Sequence, residues 1–157
     1  MHVRRATKLD IPSIVHHRVE MFRSMGYSED ILQDAKPELL SFLQAEWDDS
    51  IECYMITEND EVIGGCAVSI FSRLPDPKHL HASKVAYIHN MFVEPEFRHQ
   101  GKATSLMRDI LEQLQKRGVY KVTLHDTELS RGIYRKLGFR KVENYYDLWI
   151  DSHGSSE

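Results

Sequence analysis

The segment from Val93 to Thr104 has the residue types of an anion-binding loop. It contains Pro95 and Gly101 and leads into a stretch with helical spacing. The first backbone N–H groups of a helix have no partner within it and carry partial positive charge. Gly101 lets the backbone approach a ligand closely, and the small Ala103 leaves room for one. The pattern predicts a phosphate or pyrophosphate site, although Gly-x-Ala alone is also typical of a tight turn.

Two spaced motifs give this loop a family context. Arg98-His-Gln-Gly101-Lys-Ala103 resembles the pyrophosphate loop of the GCN5-related N-acetyltransferases (GNAT), written Arg/Gln-x-x-Gly-x-Gly/Ala. Tyr134-Arg-Lys-Leu-Gly138-Phe139 resembles the Tyr-x-x-x-Gly-Phe block of the same family. One helix and one strand separate the motifs, as the family requires. The resemblance covers nearly the whole chain, with one departure: Thr127 stands where many relatives have Asn.

The resemblance implies the GNAT fold and acetyl-coenzyme A as cosubstrate. In this family an amine attacks the thioester carbonyl directly, and coenzyme A leaves as a thiolate. The strand before the loop would pair with the pantetheine arm as one more strand would, and one of its N–H groups could polarise the thioester oxygen. The residues expected to contact the cosubstrate are Met91, Phe92, Val93, Arg98, His99, Gln100, Gly101, Lys102, Ala103, Thr104, Thr127 and Tyr134.

Tyr134, His89 and His125 are the candidates for proton transfer. The resemblance makes Tyr134 the general acid, and a phenol with a pKa of about 10 stays protonated at neutral pH. Strand alternation places His89 on the same face as Tyr87 and Met91, and it matches a proton-pathway histidine of one relative. Its pKa range suits a general base. His125, at the end of the next strand, is a second candidate, and a chain of water molecules would also suffice.

Arg18 is the candidate acceptor-binding residue. It falls on the apolar stripe of the first predicted helix, which in the family borders the acceptor pocket. Its guanidinium would either pair with a substrate carboxylate or extend along apolar surface toward solvent.

Other reactive side chains are interpreted as structural or solvated. Cys53 and Cys66 lie in apolar runs and are expected to be buried thiols rather than a disulfide. His79 and His81 lack a third ligand and no Cys-x-x-Cys occurs, so we expect no metal site. Glu94, beside the loop proline, is interpreted as a solvated acid.

The elements that position these residues follow a mixed α/β order. Strands are predicted at 2–6, 51–57, 61–71, 84–93, 119–125 and within 139–150, and helices at 11–25, 28–47, 101–117 and 128–136. Pro37 is expected to break the second helix. Residues 51–93 should form an antiparallel meander, and 84–125 should form a right-handed parallel crossover. The predicted fold is therefore a mixed, mostly antiparallel sheet with helices on both faces.

Composition limits the class of protein. A chain of 157 residues, 41% apolar and 28% charged, suits one globular domain spanning 1–157, with 151–157 as a frayed tail. A net charge of −4 without a basic stripe argues against a nucleic-acid partner. No apolar run approaches the roughly 20 residues of a membrane span, and the N-terminus lacks a signal-peptide pattern. A cytoplasmic location without membrane partners is expected.

These observations predict an acetyl-CoA-dependent N-acetyltransferase that acts on a primary amine of a small molecule or amino acid. The alternatives are a protein or peptide amine as acceptor, and a coenzyme A-binding regulatory module without turnover. Relatives of the family are often dimers, so a homodimer is a further expectation.

Overall fold

The described chain, residues 1–128 and 130–143 of a computed structural model, folds into five strands and four α-helices. In chain order these are β1 (His2–Arg5), α1 (Ile11–Ser24), α2 (Glu29–Glu46), β2 (Ile51–Glu58), β3 (Glu61–Ser72), β4 (Lys84–Val93), α3 (Lys102–Lys116), β5 (Lys121–Leu124) and α4 (Arg131–Lys136). None of the helices in these ranges combines the length and apolar composition that a membrane crossing needs. Residues 139–143 form no strand; the rest of the predicted closing strands and the predicted frayed tail lie outside the described residues.

The strands form one sheet in the order β1-β2-β3-β4-β5. The first four are antiparallel, whereas β5 pairs parallel with β4 after the crossover through α3. The turn between β2 and β3 uses Asn59 and Asp60 with φ of 50° and 65°. Two positive φ angles match the twist of a two-residue hairpin. The predicted antiparallel meander and the parallel pairing across α3 are confirmed, while the right hand of the crossover stays a prediction.

Helices cover both faces because the strands direct apolar side chains to both. Tyr54 and Ile56 of β2 pack in a cluster with the buried side chains of α3, whereas Cys53 and Met55 join a second cluster with α1 and α2. The α3 side chains in the first cluster are Leu106, Met107, Ile110 and Leu114. Each such burial contributes about 1.5–3 kcal/mol. Both cysteines are free and buried, as predicted.

Three predicted boundaries differ from the structure for local reasons. Helix α2 continues through Pro37: the ring removes one N–H donor and crowds the carbonyl four residues earlier, but the turns on both sides stay helical despite that cost. Strand β5 begins later than predicted because the Val119 N–H caps α3 by donating to the Leu114 carbonyl at 3.0 Å. Helix α4 also begins later, because a turn closed by the Ser130 N–H and the Thr127 carbonyl at 3.1 Å precedes it.

A β-bulge at His89 divides β4 into two segments. Ile88 pairs with Val68 and Asn90 pairs with Ala67, so His89 has no counterpart in β3. An extra residue exchanges the two faces of the strand beyond it. The prediction that His89 shares a face with Met91 is therefore wrong: Met91 packs into the α3-side cluster, whereas His89 and Asn90 line a cavity on the side of α1 and α2.

Candidate active site

The sheet opens along the second half of β4. Strand β5 pairs with β4 only over residues 85–88, whereas β3 pairs with it as far as Val93. Over residues 89–93 the β5 side of β4 therefore has no strand partner within the described ranges. An extended ligand with amide groups can hydrogen-bond to such an edge. The predicted backbone contacts at Met91, Phe92 and Val93 lie along this gap.

The end of the gap leads into a helix N-terminus. After a 3-10 turn at Pro95–Phe97 the chain takes φ of 60° at His99 and 76° at Gly101, and α3 begins at Lys102. The first helical bond runs from the Ser105 N–H to the Gly101 carbonyl at 3.0 Å. The N–H groups of 102–104 precede it and have no acceptor within the helix. Positive charge from these groups and from the helix dipole favours a bound phosphate.

The two cationic side chains of the loop are engaged within the protein. Arg98 donates from Nε to the Val93 carbonyl at 2.8 Å, and its Cζ lies 5.4 Å from the centre of the Phe92 ring. Lys102 is 9% exposed, with Nζ 2.7 Å from each carboxylate oxygen of Glu58. Both side chains hold the loop against the sheet. The backbone of Lys102, rather than its ammonium group, is the part available to a ligand.

Glu94 connects the start of the loop to α1. Its Oε1 lies 3.1 Å from His16 Nε2 and 3.6 Å from His17 Nε2. His17 is 2% exposed and stacks on Phe92 with ring centres 5.0 Å apart. Burial lowers the pKa of His17 to about 4, helped by its neighbour His16, so His17 is neutral. The interpretation of Glu94 as a solvated loop acid is wrong, because it faces these two histidines.

Tyr134 lies in α4 on the same side of the sheet as α3. It is 7% exposed and packs edge-on to Phe139, with ring centres 5.6 Å apart. Burial first, and the nearby Cys66 second, raise the pKa of Tyr134 to about 12. Its hydroxyl therefore stays protonated at neutral pH. Thr127 precedes this helix, and its Oγ1 lies 3.0 Å from Ser130 Oγ, so its side chain helps to build the start of α4.

The two candidate bases lie on either side of Tyr87. The His89 ring meets the edge of the Tyr87 ring with centres 4.7 Å apart, and the Tyr87 hydroxyl shares a hydrogen bond with His125 Nδ1. His89 Nε2 lies 2.7 Å from Ser69 Oγ. Burial, and secondarily the positive charge of Arg18, lower the pKa of His89 below its usual 6.5. His89 is therefore neutral at pH 7 and able to accept a proton.

A cavity of about 200 Å³ lies between β4 and the helices α1 and α2. Its polar lining comes from Arg18, His89 and Asn90, and the rest is apolar. Arg18 donates from Nη1 to the His89 carbonyl at 2.7 Å, and its Cζ lies 4.5 Å from the centre of the Phe22 ring. The guanidinium is thus held at the cavity wall.

A comparison with known protein families identifies the family of this chain. The chain matches the Acetyltransferase (GNAT) family over residues 13–139. It belongs to this family. The matched range begins in α1 and includes the gap beside β4, the loop before α3 and Tyr134.

Relatives of this GNAT family member include both characterised and uncharacterised proteins. Glucosamine 6-phosphate N-acetyltransferase of Trypanosoma brucei brucei is 35% identical over 85 residues, which is 54% of this chain and 58% of that enzyme. An uncharacterised N-acetyltransferase of Archaeoglobus fulgidus is 32% identical over 118 residues, covering 71% of this chain and 72% of that protein. The match therefore spans less than two thirds of the trypanosome enzyme.

Solved structures share the fold of this GNAT family member. A predicted acetyltransferase with acetyl-CoA from Clostridium acetobutylicum superposes with a TM-score of 0.83 at 24% identity, covering 97% of this chain and 99% of that one. A GCN5-related N-acetyltransferase from Ralstonia eutropha gives 0.85 at 23% identity, covering 96% and 99%. The predicted fold class is confirmed.

The sequence analysis named most of the side chains that the structure brings together here, but it did not name Asn90. The structure brings Arg18 against His89 and brings His89 and His125 to the same tyrosine. The individual roles of these residues stay predictions. Asn90 was missed, although a lone amide beside a histidine in an otherwise apolar strand is the signal that could have identified it. Ser69 carries no such signal, because only the strand pairing brings it to His89.

Proposed function

We propose that this chain is an acetyl-CoA-dependent N-acetyltransferase that acetylates a primary amine of a small molecule. The observation that carries this proposal is the position of β4 between two openings. The gap on its β5 side leads to the N-terminus of α3, and the cavity lies between β4 and α1 and α2. A long cosubstrate in the gap and a small acceptor in the cavity would meet at this strand.

The residues present fit acetyl-coenzyme A. The unpaired edge at 89–93 offers backbone groups to the amides of the pantetheine arm. The free N–H groups at 102–104 offer a pyrophosphate site at the end of that edge. The cosubstrate supplies an acetyl thioester that is reactive toward a neutral amine. The protein must orient the two reactants and move two protons.

Proton removal from the amine is assigned to His89, which lines the cavity, or to His125, which contacts Tyr87. An alkylammonium ion must lose a proton before its nitrogen can attack, and a neutral imidazole accepts one at pH 7. His89 lines the cavity and is neutral because its pKa is lowered. His125, beyond Tyr87, is the second candidate. Water molecules between them would extend the path to solvent.

Proton donation to the departing sulfur is assigned to Tyr134. The raised pKa of Tyr134 keeps its hydroxyl protonated when the thiolate forms. Tyr134 packs in the cluster that also receives Met91, on the opposite face of the sheet from His89. The proton donor Tyr134 and the proton acceptor His89 would therefore lie on opposite faces of the sheet. The reacting atoms would lie between them, in the gap beside β4.

A small acceptor is favoured over a protein amine. The trypanosome relative is a glucosamine 6-phosphate N-acetyltransferase, and glucosamine 6-phosphate is a small amine. The cavity of about 200 Å³ is bounded by two helices as well as by the sheet. A protein substrate needs an open groove for its chain on both sides of the amine. A regulatory module without turnover is the remaining alternative.

Release of free thiol from acetyl-CoA separates these functions. Purified protein is incubated with acetyl-CoA and a panel of amino sugars, amino acids, alkylamines and lysine-containing peptides, while calorimetry measures coenzyme A binding. Turnover with small amines supports the proposal, and turnover with peptides alone favours the protein acceptor. Coenzyme A binding without release of thiol on any amine would leave the regulatory module as the function.

A further inference from the structure

Asn90 lines the acceptor cavity and carries a buried polar atom without a partner among the described residues. The residue is 4% exposed, and its Oδ1 is buried without a hydrogen bond to any residue that the structure describes. Buried polar atoms in folded proteins nearly always have a partner. Because Asn90 lines the cavity, an N–H group of a ligand there can supply the missing bond.

Arg18 provides a positive charge beside this amide. Its Nη1 donates to the carbonyl of His89, the residue that immediately precedes Asn90. Burial lowers the pKa of Arg18; Tyr87 opposes that effect, and no carboxylate within 1–128 or 130–143 does. A guanidinium without an acidic partner, held at a cavity wall, favours an anionic group on the ligand.

The rest of the cavity is apolar. Helix α1 contributes Ile14 and Val15, and α2 contributes Leu39, Phe42 and Leu43. These side chains offer no hydrogen bonds to sugar hydroxyl groups. A ligand that fits has its amine and its anionic group close together, at Asn90 and Arg18, and an apolar group directed toward the helices.

On the basis of the proposed function, we infer that the acceptor is an α-amino acid with an apolar side chain, bound through its amine to Asn90 and through its carboxylate to Arg18. In such a molecule one carbon separates the nitrogen from the carboxylate carbon. This short spacing suits the Asn90 side chain of β4 and the Arg18 guanidinium of α1, which binds the carbonyl of the preceding residue, His89. A neutral amine that donates one N–H to Oδ1 keeps its lone pair for attack. The C–N bond then forms as the C–S bond breaks, the amine proton passes to a base, and the thiolate is protonated.

A thermodynamic cycle between ligand and protein tests this assignment. Values of kcat/KM are measured for phenylalanine and phenethylamine, which differ by the carboxylate, with the wild type and with Arg18→Met, which keeps the apolar stem. A charge-assisted hydrogen bond changes affinity by about 10- to 100-fold. In the wild type we expect kcat/KM for phenylalanine to exceed that for phenethylamine by this factor of about 10 to 100. In Arg18→Met the two kcat/KM values should agree within about threefold, because the hydrogen-bond donor is gone. The cycle cancels the intrinsic difference in reactivity between the two amines.

Two further measurements keep the inference falsifiable if Arg18→Met does not fold. With the wild type, 3-phenylpropionate should inhibit at least about tenfold more strongly than 3-phenylpropanol, since only the former carries the anion. Asn90→Leu, with coenzyme A affinity unchanged, should lower kcat/KM for both amines about tenfold by removing the acceptor of the amine N–H.

The outcomes distinguish this inference from the proposed function. Turnover of glucosamine 6-phosphate or simple alkylamines, with phenylalanine and leucine inert, would overturn the inference and leave the proposed function intact. An equal preference for phenylalanine in the wild type and Arg18→Met would also overturn it. Absence of thiol release with every amine would overturn both.

Discussion

Gly101 offers a sharp test of the pyrophosphate site because the chain contains a matched control. Gly101 and Gly118 flank α3, both have φ of 76°, and a Cβ added at either would meet no atom within 4 Å. A side chain in this left-handed region costs about 1–2 kcal/mol. Both Gly101→Asp and Gly118→Asp should therefore lower the melting temperature, by about 2–8 °C for a domain of this size. The loss should be smaller at Gly101, because an aspartate at the N-cap of α3 interacts favourably with the helix N-terminus.

Coenzyme A affinity should separate the two variants. At about 5 Å and an effective dielectric of about 20, two like charges repel by about 3 kcal/mol. Gly101 is exposed, so solvent screening reduces this to about 1–2 kcal/mol, or about 5- to 30-fold in affinity. At the other end of a 15-residue helix, about 22 Å away, the control charge lies beyond the screening length of about 8–10 Å.

Calorimetry with coenzyme A at two salt concentrations measures this difference. We expect Gly101→Asp to bind 5- to 30-fold more weakly at low salt, by the repulsion worked out above, and to recover part of the loss at high salt. Gly118→Asp should stay within about twofold of the wild type. Equal affinities for two folded variants would refute the assignment of this helix N-terminus to the pyrophosphate.

Three further variants probe the proton path and the packing of β3 against β4. Tyr134→Phe should lower kcat about 10²- to 10⁴-fold with coenzyme A affinity retained. The control Tyr54→Phe, which removes another buried hydroxyl, should leave kcat unchanged. A Tyr134→Phe variant with the kcat of the wild type would show that Tyr134 has a structural role only. His89 must be neutral to accept a proton, and burial lowers its pKa below 6.5. In the wild type, kcat/KM should therefore rise with pH through a midpoint below 6.5, and His89→Gln should abolish this rise. An unchanged pH profile in His89→Gln would reject His89 as the base. Gly64→Ala places a Cβ 2.5 Å from a β4 carbonyl and should lower the free energy of unfolding in urea by about 1–3 kcal/mol. The control Gly132→Ala, with open space around it, should change this free energy little. Equal free energies of unfolding for the two variants would contradict the close approach of β3 to β4 at Gly64.

The local part of the site was predictable from the sequence. The loop before α3 depends on a few consecutive residues, since Gly101 takes a positive φ and α3 follows at once. The long apolar stripe of α3 likewise placed that helix on the sheet. Such features are set by neighbours in the chain, so the residue order contains them.

The non-local part was not predictable. The bulge at His89 depends on how β3 and β4 pair, and it reversed the expected face of Met91. The bond from Arg18 to the His89 carbonyl and the orphaned oxygen of Asn90 exist only once α1 packs beside β4. The alternation of side chains along a sequence does not reveal a bulge. It assigns every second residue to the same face, whereas the extra residue of the bulge exchanges the two faces beyond it.

The unequal anchoring of the two helical layers has a consequence for amide hydrogen exchange. Helix α2 has 18 residues, of which Leu32 and Leu43 are buried, whereas α3 has five buried residues among 15. Segments with few buried contacts open locally at a fraction of the global unfolding free energy. Amides of α2 should therefore exchange orders of magnitude faster than those of α3. Transient opening of α2 would then expose the cavity beside β4 while the α3 side of the sheet remains folded.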